Sequence, residues 1–104
     1  MAANIDSIKE EAKCYANEVR KHLPVDKAYL FGSHAKGTAT KLSDVDVAFF
    51  LRNYGGKERI DMGIQLLRIA RDYAAYFEPL VFETSDLEQD NPFVKEIVRT
   101  GLEI

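Results

Sequence analysis

The sequence predicts an α+β domain in which helices alternate with short strands. Apolar residues recur every three or four positions over residues 5–23 and 57–76, which indicates two amphipathic helices. Three short apolar segments between turn residues indicate strands. The 104 residues suffice for one hydrophobic core. We therefore expect a single domain over residues 1–104, with the element order α, β, short turn-helix, β, α, β, α.

The first part of the chain is predicted to form a helix, a strand and a tight turn. The helix over residues 5–23 ends before Pro24, which cannot continue it. Lys27–Phe31 (KAYLF) is a short apolar segment that stops at Gly32, as is typical of a buried strand. Residues 33–43 are small and polar, so they suit a turn with about one helical turn.

Asp44–Leu51 (DVDVAFFL) is predicted to form the second strand. Because successive side chains of a strand point to opposite faces, its residues divide into two sets. One face carries Val45, Val47, Phe49 and Leu51, and the other carries Asp44, Asp46, Ala48 and Phe50. The two aspartates thus share a face.

The rest of the chain is predicted to form two helices around a third strand. The second long helix runs over residues 57–76, and the strand follows over Glu78–Thr84. Pro79 lacks a backbone donor, which places this strand at a sheet edge. Pro92 suits the first position of the last helix, and Gly101 is expected to terminate it.

Composition excludes several classes of function. Fourteen basic and 17 acidic side chains give a net charge of −3, which argues against tight binding of duplex nucleic acid. No apolar run approaches the roughly 20 residues of a membrane span, and the N-terminus does not resemble a signal peptide, so we expect a cytoplasmic protein. Cys14 is the only cysteine, which excludes an internal disulfide and a cysteine zinc cluster.

The segment GSHAKG, after the first strand, is a candidate phosphate-binding turn. Gly32 allows a phosphate to approach the backbone, and Ser33 offers a hydroxyl and an N–H group. Taken alone, a Gly-Ser pair is more often an ordinary turn with a helix cap. His34 in this turn is expected to be solvated, and Lys36 suits either a phosphate contact or solvent.

The segment SDVD is a candidate cation site. Asp44 and Asp46 lie two positions apart, about 6.6 Å along a strand, and point to the same side. Taken alone, the segment could be a turn followed by a strand, or an incidental acidic patch. Mg²⁺ prefers one or two carboxylates plus phosphate oxygens, so an acidic pair beside a phosphate-binding turn favours a metal–nucleotide site. A calcium loop is not indicated, because no closing glutamate follows in VDVAFFL.

The stretch FGSHAKGTATKLSDVDVAFF resembles the signature of the DNA polymerase β-like nucleotidyltransferase superfamily, and the chain is similar in size to its minimal nucleotidyltransferase (MNT) members. In that pattern a strand ends in Gly-Ser, a short helix carries a basic residue and a glycine, and S-D-x-D begins the next strand. Lys36 stands where arginine is common. The matching positions are Gly32, Ser33, Lys36, Gly37, Ser43, Asp44 and Asp46.

The resemblance implies a palm-like mixed sheet flanked by helices and a reaction that uses two Mg²⁺ ions and ATP or another nucleoside triphosphate. A substrate hydroxyl attacks the α-phosphorus in line and pyrophosphate leaves. The resemblance also assigns phosphate binding to the Gly-Ser turn residues and to Lys36, Gly37 and Ser43, and metal binding to Asp44 and Asp46.

The family also uses a third carboxylate, usually an aspartate early in a later strand. Glu78 is the candidate for this catalytic and metal-binding position, and Glu83 is the alternative, because residues five apart in a strand face opposite sides. Either choice places a glutamate where aspartate is usual.

Minimal members of the family commonly pair with a small helical HEPN protein as antitoxin and toxin, and transfer AMP to one of its tyrosines. The resemblance therefore implies a HEPN-type toxin partner that supplies the acceptor, since 104 residues leave no segment to cover it. Two alternatives stay open: a noncatalytic module that binds nucleotide or partner, and a transferase acting on a small molecule or an RNA end.

Overall fold

Helices and strands alternate along the chain around one four-stranded sheet. The computed structural model describes residues 5–39 and 44–104. Ser43, a predicted phosphate-binding residue, lies outside these ranges. None of the described helices has the length and apolar character to cross a membrane. The elements are α1 (Ile5–Arg20), β1 (Val25–Phe31), α2 (Ser33–Lys36), β2 (Val45–Leu51), α3 (Glu58–Ala70), β3 (Phe77–Glu83), a 3₁₀ helix (Thr84–Glu88), α4 (Pro92–Thr100) and β4 (Leu102–Glu103).

The sheet is mixed and has the strand order β3-β2-β1-β4. β1 is antiparallel to both of its neighbours, whereas β2 and β3 are parallel and are connected by α3. The expected mixed sheet is confirmed, and β3, which carries Pro79, lies at an edge as predicted. β4 was not predicted, because two residues are too few to show a strand pattern.

β2 is buried on both faces, and this burial fixes the position of its N-terminal end. The predicted division of its residues is confirmed: one set packs with α1 and α3, whereas Ala48 and Phe50 pack with Val94 and Ile97 of α4. The set facing α1 and α3 is Val45, Val47, Phe49 and Leu51. Since burial on both sides leaves little freedom, β2 gives a rigid base to the aspartates at its beginning.

The predicted range 57–76 for the second long helix was wrong at its C-terminal end, because α3 stops at Ala70. The chain leaves α3 through a tight turn, in which the Tyr73 N–H donates to the Ala70 carbonyl at 3.2 Å. Beyond the turn, the Ala75 N–H donates to Glu11 Oε1 of α1 at 3.0 Å, which holds the chain extended. Phe77, which continues the helical spacing, is buried as the first residue of β3 instead.

Smaller differences occur at other boundaries. α1 ends at Arg20, and residues 21–23 form a turn instead of a last helical turn. β1 begins at Val25, two residues earlier than expected. β3 ends at Glu83, because Glu83 caps the 3₁₀ helix that follows. The last helix has the predicted range, Pro92–Thr100.

Candidate active site

The candidate site lies at the end of the sheet where β2 begins. Asp44 immediately precedes β2 and is exposed, and Asp46 is the second residue of β2 and is half-buried. The strand register places Phe31 of β1 opposite Asp46 on one side and Glu78 of β3 opposite it on the other. Since Gly32 follows Phe31 directly, three strands bring the predicted phosphate-binding turn and three predicted carboxylates to the same end of the sheet.

Gly32 lies directly against the carboxylate of Asp46. Its φ of +76° is in the region that side-chain-bearing residues rarely adopt. A Cβ atom at this position would also approach Asp46 Oδ2 more closely than real Cβ atoms do. Glycine is therefore required here twice, for its backbone angle and for the close contact between the turn and the carboxylate.

α2 is a single turn that is closed at both ends by backbone hydrogen bonds. The Lys36 N–H donates to the Gly32 carbonyl at 3.0 Å, and Gly37 adopts a left-handed conformation with its N–H donated to the Ser33 carbonyl. The Lys36 ammonium lies 3.8 Å from Glu96 Oε1 of α4. Phosphate binding by Ser33, Lys36 and Gly37 stays a prediction.

His34 is buried, with 5% of its surface exposed, so the expectation of a solvated turn histidine was wrong. Its positive charge, when present, lowers the pKa of Asp46 and opposes the effects that raise it. His34 is therefore a buried neighbour of the site that acts electrostatically on Asp46. The sequence held no sign of this, because the burial of a turn residue depends on the elements packed around it.

The three carboxylates concentrate negative charge. Burial raises the pKa of Asp46, and the charge of Asp44 raises it further. A side-chain hydrogen bond with Asp44 raises the pKa of Glu78, and the charges of Asp44 and Asp46 add to this. Two carboxyl groups can share a hydrogen bond only when one of them holds a proton. A proton or a cation would therefore relieve the cluster.

The donor set has the chemistry of a magnesium site. Within residues 5–39 and 44–104, no three or more His, Cys, Asp or Glu side chains are already arranged around a common metal position. Mg²⁺ does not need such a cage, because it is usually held by one or two carboxylates and completed by substrate phosphates and water. Asp44 and Asp46, with Glu78 beside them, fit that requirement.

Glu83, the alternative third carboxylate, lies at the opposite end of β3 from Glu78. It pairs in register with Leu51, about 16 Å along the strand from Glu78 at roughly 3.3 Å per residue. Its carboxylate accepts the Tyr54 N–H at 2.6 Å and takes part in capping the 3₁₀ helix. The geometry therefore favours Glu78 as the partner of Asp44 and Asp46.

We expect the raised pKa values to make stability depend on pH. Between the ordinary carboxyl pKa of about 4 and the raised pKa of Asp46, the folded chain binds more protons than the unfolded chain, so the free energy of unfolding falls as the pH rises. Asp46→Asn should therefore melt at a higher temperature than wild type at neutral pH in EDTA, and the difference should shrink on acidification. Melting curves by circular dichroism measure both. A difference that grows on acidification would contradict the assignment.

An open cleft of about 660 Å³ adjoins the carboxylates on the side of β3. Asp44 and Glu78 form its acidic wall, and Leu67, Arg71 and Tyr76 face them from the end of α3 and the following turn. The Tyr76 side chain is largely exposed. The cleft could accommodate a substrate group beside Glu78.

Comparisons with known proteins agree with this arrangement. A family model described as "Polymerase beta, Nucleotidyltransferase" matches residues 14–104. A crystal structure of a protein from Sulfolobus solfataricus that is assigned as a nucleotidyltransferase is similar in fold, with a TM-score of 0.62 and 18% identity over 96% of this chain and 79% of that chain. No curated protein sequence matches significantly. The predicted α+β class and the polymerase β-like nucleotidyltransferase fold are confirmed.

Proposed function

Because the chain belongs to the polymerase β nucleotidyltransferase family, we propose that it transfers a nucleoside monophosphate, AMP from ATP, to a hydroxyl group in a reaction that requires Mg²⁺. One observation carries this proposal. The register of three strands brings the Gly32 turn, Asp46 and Glu78 side by side, so the turn that we propose to bind phosphate adjoins a carboxylate cluster.

The residues of the site fall into two groups, one for binding the donor phosphates and one for holding the cations. The Gly32 backbone and Ser33 bind phosphate oxygens of the donor, and Asp44, Asp46 and Glu78 hold the cations. Mg²⁺, when bound, neutralises charge that develops on the attacking and leaving oxygens. A bond forms between the acceptor oxygen and the α-phosphorus, the bond from that phosphorus to the bridging oxygen breaks, and pyrophosphate leaves. The Glu78 carboxylate accepts the proton of the acceptor hydroxyl.

The acceptor that we propose is a tyrosine of a HEPN-type helical toxin, for which this chain acts as the antitoxin. Two features support this proposal. The resemblance to minimal nucleotidyltransferases covers Gly32, Ser33, Asp44 and Asp46, and the cleft beside Glu78 is open enough to admit a side chain presented by another protein.

The test of this function is transfer of label from ATP. The purified chain is incubated with Mg²⁺, a lysate of its host and ATP labelled at either the α- or the γ-phosphate. We expect an acceptor protein to be labelled by α-labelled ATP but not by γ-labelled ATP. Mass spectrometry should then find an adenylyl group on a tyrosine of that protein. Label from the γ-phosphate would instead indicate phosphorylation. No label from either ATP would exclude the transferase function in this host.

The second candidate is a noncatalytic module that binds nucleotide or partner. The raised pKa of Glu78, caused first by a side-chain hydrogen bond with Asp44, favours it, because a carboxyl group that keeps its proton more readily binds a cation less readily. A glutamate at the third position also extends one methylene further than the aspartate usual in the family. Wild-type protein that binds ATP and Mg²⁺ by calorimetry but never labels an acceptor would establish this alternative.

The third carboxylate can be tested by comparing two variants of β3. We expect Glu78→Gln to reduce the labelling rate about a hundredfold, because the amide neither holds a cation nor accepts the acceptor proton. The matched variant Glu83→Gln removes the same charge from the other end of the strand and keeps an oxygen for the Tyr54 N–H, so its rate should stay at the wild-type level. The reverse pattern would assign the role to Glu83.

A further inference from the structure

α3 exposes an apolar stripe that the core does not use. Ile60 is 71% exposed, Ile64 47% and Leu67 56%, and their spacing of four and three places them on one face of the helix. Arg71 follows four residues after Leu67, just past the end of α3, and continues the line into the cleft. We call these four residues the α3 stripe.

The α3 stripe borders a groove that leads to the candidate active site. A groove of about 400 Å³ separates Ile60, Ile64 and Leu67 from the edge strand residues Leu80 and Val81. Leu67 also lines the cleft that contains Asp44 and Glu78. The apolar groove and the acidic cleft therefore form one continuous surface that meets at Leu67.

The hydrogen-bonding direction of β3 can be read from its pairing with β2. The Val45 N–H donates to the Tyr76 carbonyl at 2.8 Å, and Val45 lies in register with Phe77. In a parallel pair this pattern directs the even-numbered residues of β3 toward β2, so the odd-numbered residues present their backbone groups at the free edge.

That edge is poorly suited to pairing with an added strand. Pro79 has no N–H, and the Phe77 N–H donates to the Ala75 carbonyl at 3.1 Å. The Glu83 N–H donates to Asp86 Oδ2 at 3.2 Å. Three of the four outward positions thus lack a donor for a new strand, and a partner must bind through side chains. An amphipathic helix in the groove satisfies this requirement.

The direction of the reaction identifies which substrate uses this surface. The Gly32 turn lies on the β1 side of Asp46, and the cleft lies on the β3 side, with Glu78. The attacking and leaving oxygens of phosphoryl transfer stand roughly in line on opposite sides of the phosphorus. With the donor phosphates on the Gly32 turn, the acceptor hydroxyl must enter from the cleft.

We propose that the α3 stripe binds an amphipathic helix of the acceptor protein, which places the acceptor hydroxyl beside Glu78 and a carboxylate opposite Arg71. This inference rests on the proposed function. Charge supports the choice of partner: no ion pair of the Arg71 guanidinium occurs within the described ranges of the chain, so an acidic side chain of the partner would complement it.

The test uses the labelling assay with substitutions in the stripe. We expect Ile60→Asp and Ile64→Asp to lower the labelling of the acceptor at least tenfold, because a carboxylate in the groove would lose its water on binding. Ile60→Asp should also keep the fold intact, since an acidic residue in the first turn of a helix is favourable. The matched control is Val98→Asp on α4, where Val98 is 43% exposed on the other side of the sheet.

Two further measurements separate docking from catalysis. ATP binding with Mg²⁺, measured by calorimetry, should be unchanged in Ile64→Asp and in Arg71→Glu, whereas Arg71→Glu should raise the KM for the acceptor. Lost ATP binding in Arg71→Glu would place Arg71 at the donor and overturn the charge assignment.

The outcomes are distinguishable. Wild-type labelling with an unchanged rate in both stripe variants would overturn the docking surface and leave the proposed function intact. A wild-type dimer that Ile64→Asp converts to a monomer would assign the stripe to a second copy of this chain and also overturn it. If wild type binds ATP and Mg²⁺ but labels nothing, the proposed function fails, and the acceptor surface fails with it.

Discussion

Asp46→Asn is expected to reduce AMP transfer by about a thousandfold or more, which corresponds to about 4 kcal/mol of transition-state stabilisation. Asp46 lies between the Gly32 turn and Glu78, so its carboxylate borders both the turn proposed to bind the donor phosphates and the proposed third carboxylate. Asparagine has the same shape but lacks the charge that holds a cation. The measurement is the initial rate of labelling from α-labelled ATP.

The control for this experiment is Asp72→Asn, which removes an exposed carboxylate from the turn after α3. Its rate should match that of wild type. Because Asp46→Asn also relieves repulsion among the carboxylates, its melting temperature should not fall below that of wild type. An Asp46→Asn protein that keeps the wild-type labelling rate would refute the proposed role of Asp46.

Gly32→Ala is expected to reduce the transfer rate about a hundredfold, because displacement of a catalytic group by about 1 Å has that cost. The new methyl group would meet Asp46 Oδ2, so the carboxylate must move away from its position beside the turn. The backbone also has to tolerate a φ of +76° with ψ of −149°, which costs about 1–3 kcal/mol of stability. The labelling rate and the melting temperature measure the two effects.

Gly37 offers a matched control within the same motif. Its φ is +78°, but a Cβ atom there would have no neighbour within 4 Å. Gly37→Ala should therefore cost about 1 kcal/mol for its left-handed conformation and leave Asp46 in place. Equal rate losses in the two variants would contradict contact with Asp46 as the cause of the effect at Gly32.

β2 shows what the sequence could predict about this fold. The alternation of its apolar residues identified both faces correctly, because each face of β2 packs against a different layer of the protein. The same alternation placed Asp44 and Asp46 together. Local pattern sufficed here because one strand carries both the buried residues and the candidate site.

The end of α3 shows what the sequence could not predict. Ala74 and Phe77 continue the helical spacing, so the pattern contains no stop signal. The stop depends on contacts far along the chain: the Tyr73 hydroxyl donates to the Cys14 carbonyl at 3.1 Å, and Glu11 accepts the Ala75 N–H. Propensity is a weak guide where tertiary hydrogen bonds hold a segment extended.

The choice between Glu78 and Glu83 also needed tertiary information. Both glutamates lie on the third strand, and neither alternation nor spacing shows which end of that strand meets Asp46. The parallel register with β2 favours Glu78, because it pairs Glu78 with Asp46 and Glu83 with Leu51. Sequence reasoning ranked Glu78 first only through the resemblance to the family.

The burial of β2 on both faces has a consequence for how the site responds to thermal motion. A strand covered by α1 and α3 on one side and by α4 on the other exposes its amides to solvent only when the layers around it separate. Fraying at the chain ends or in surface loops therefore leaves Asp46 where it is. Asp46 therefore keeps its position relative to the core until the layers around β2 separate.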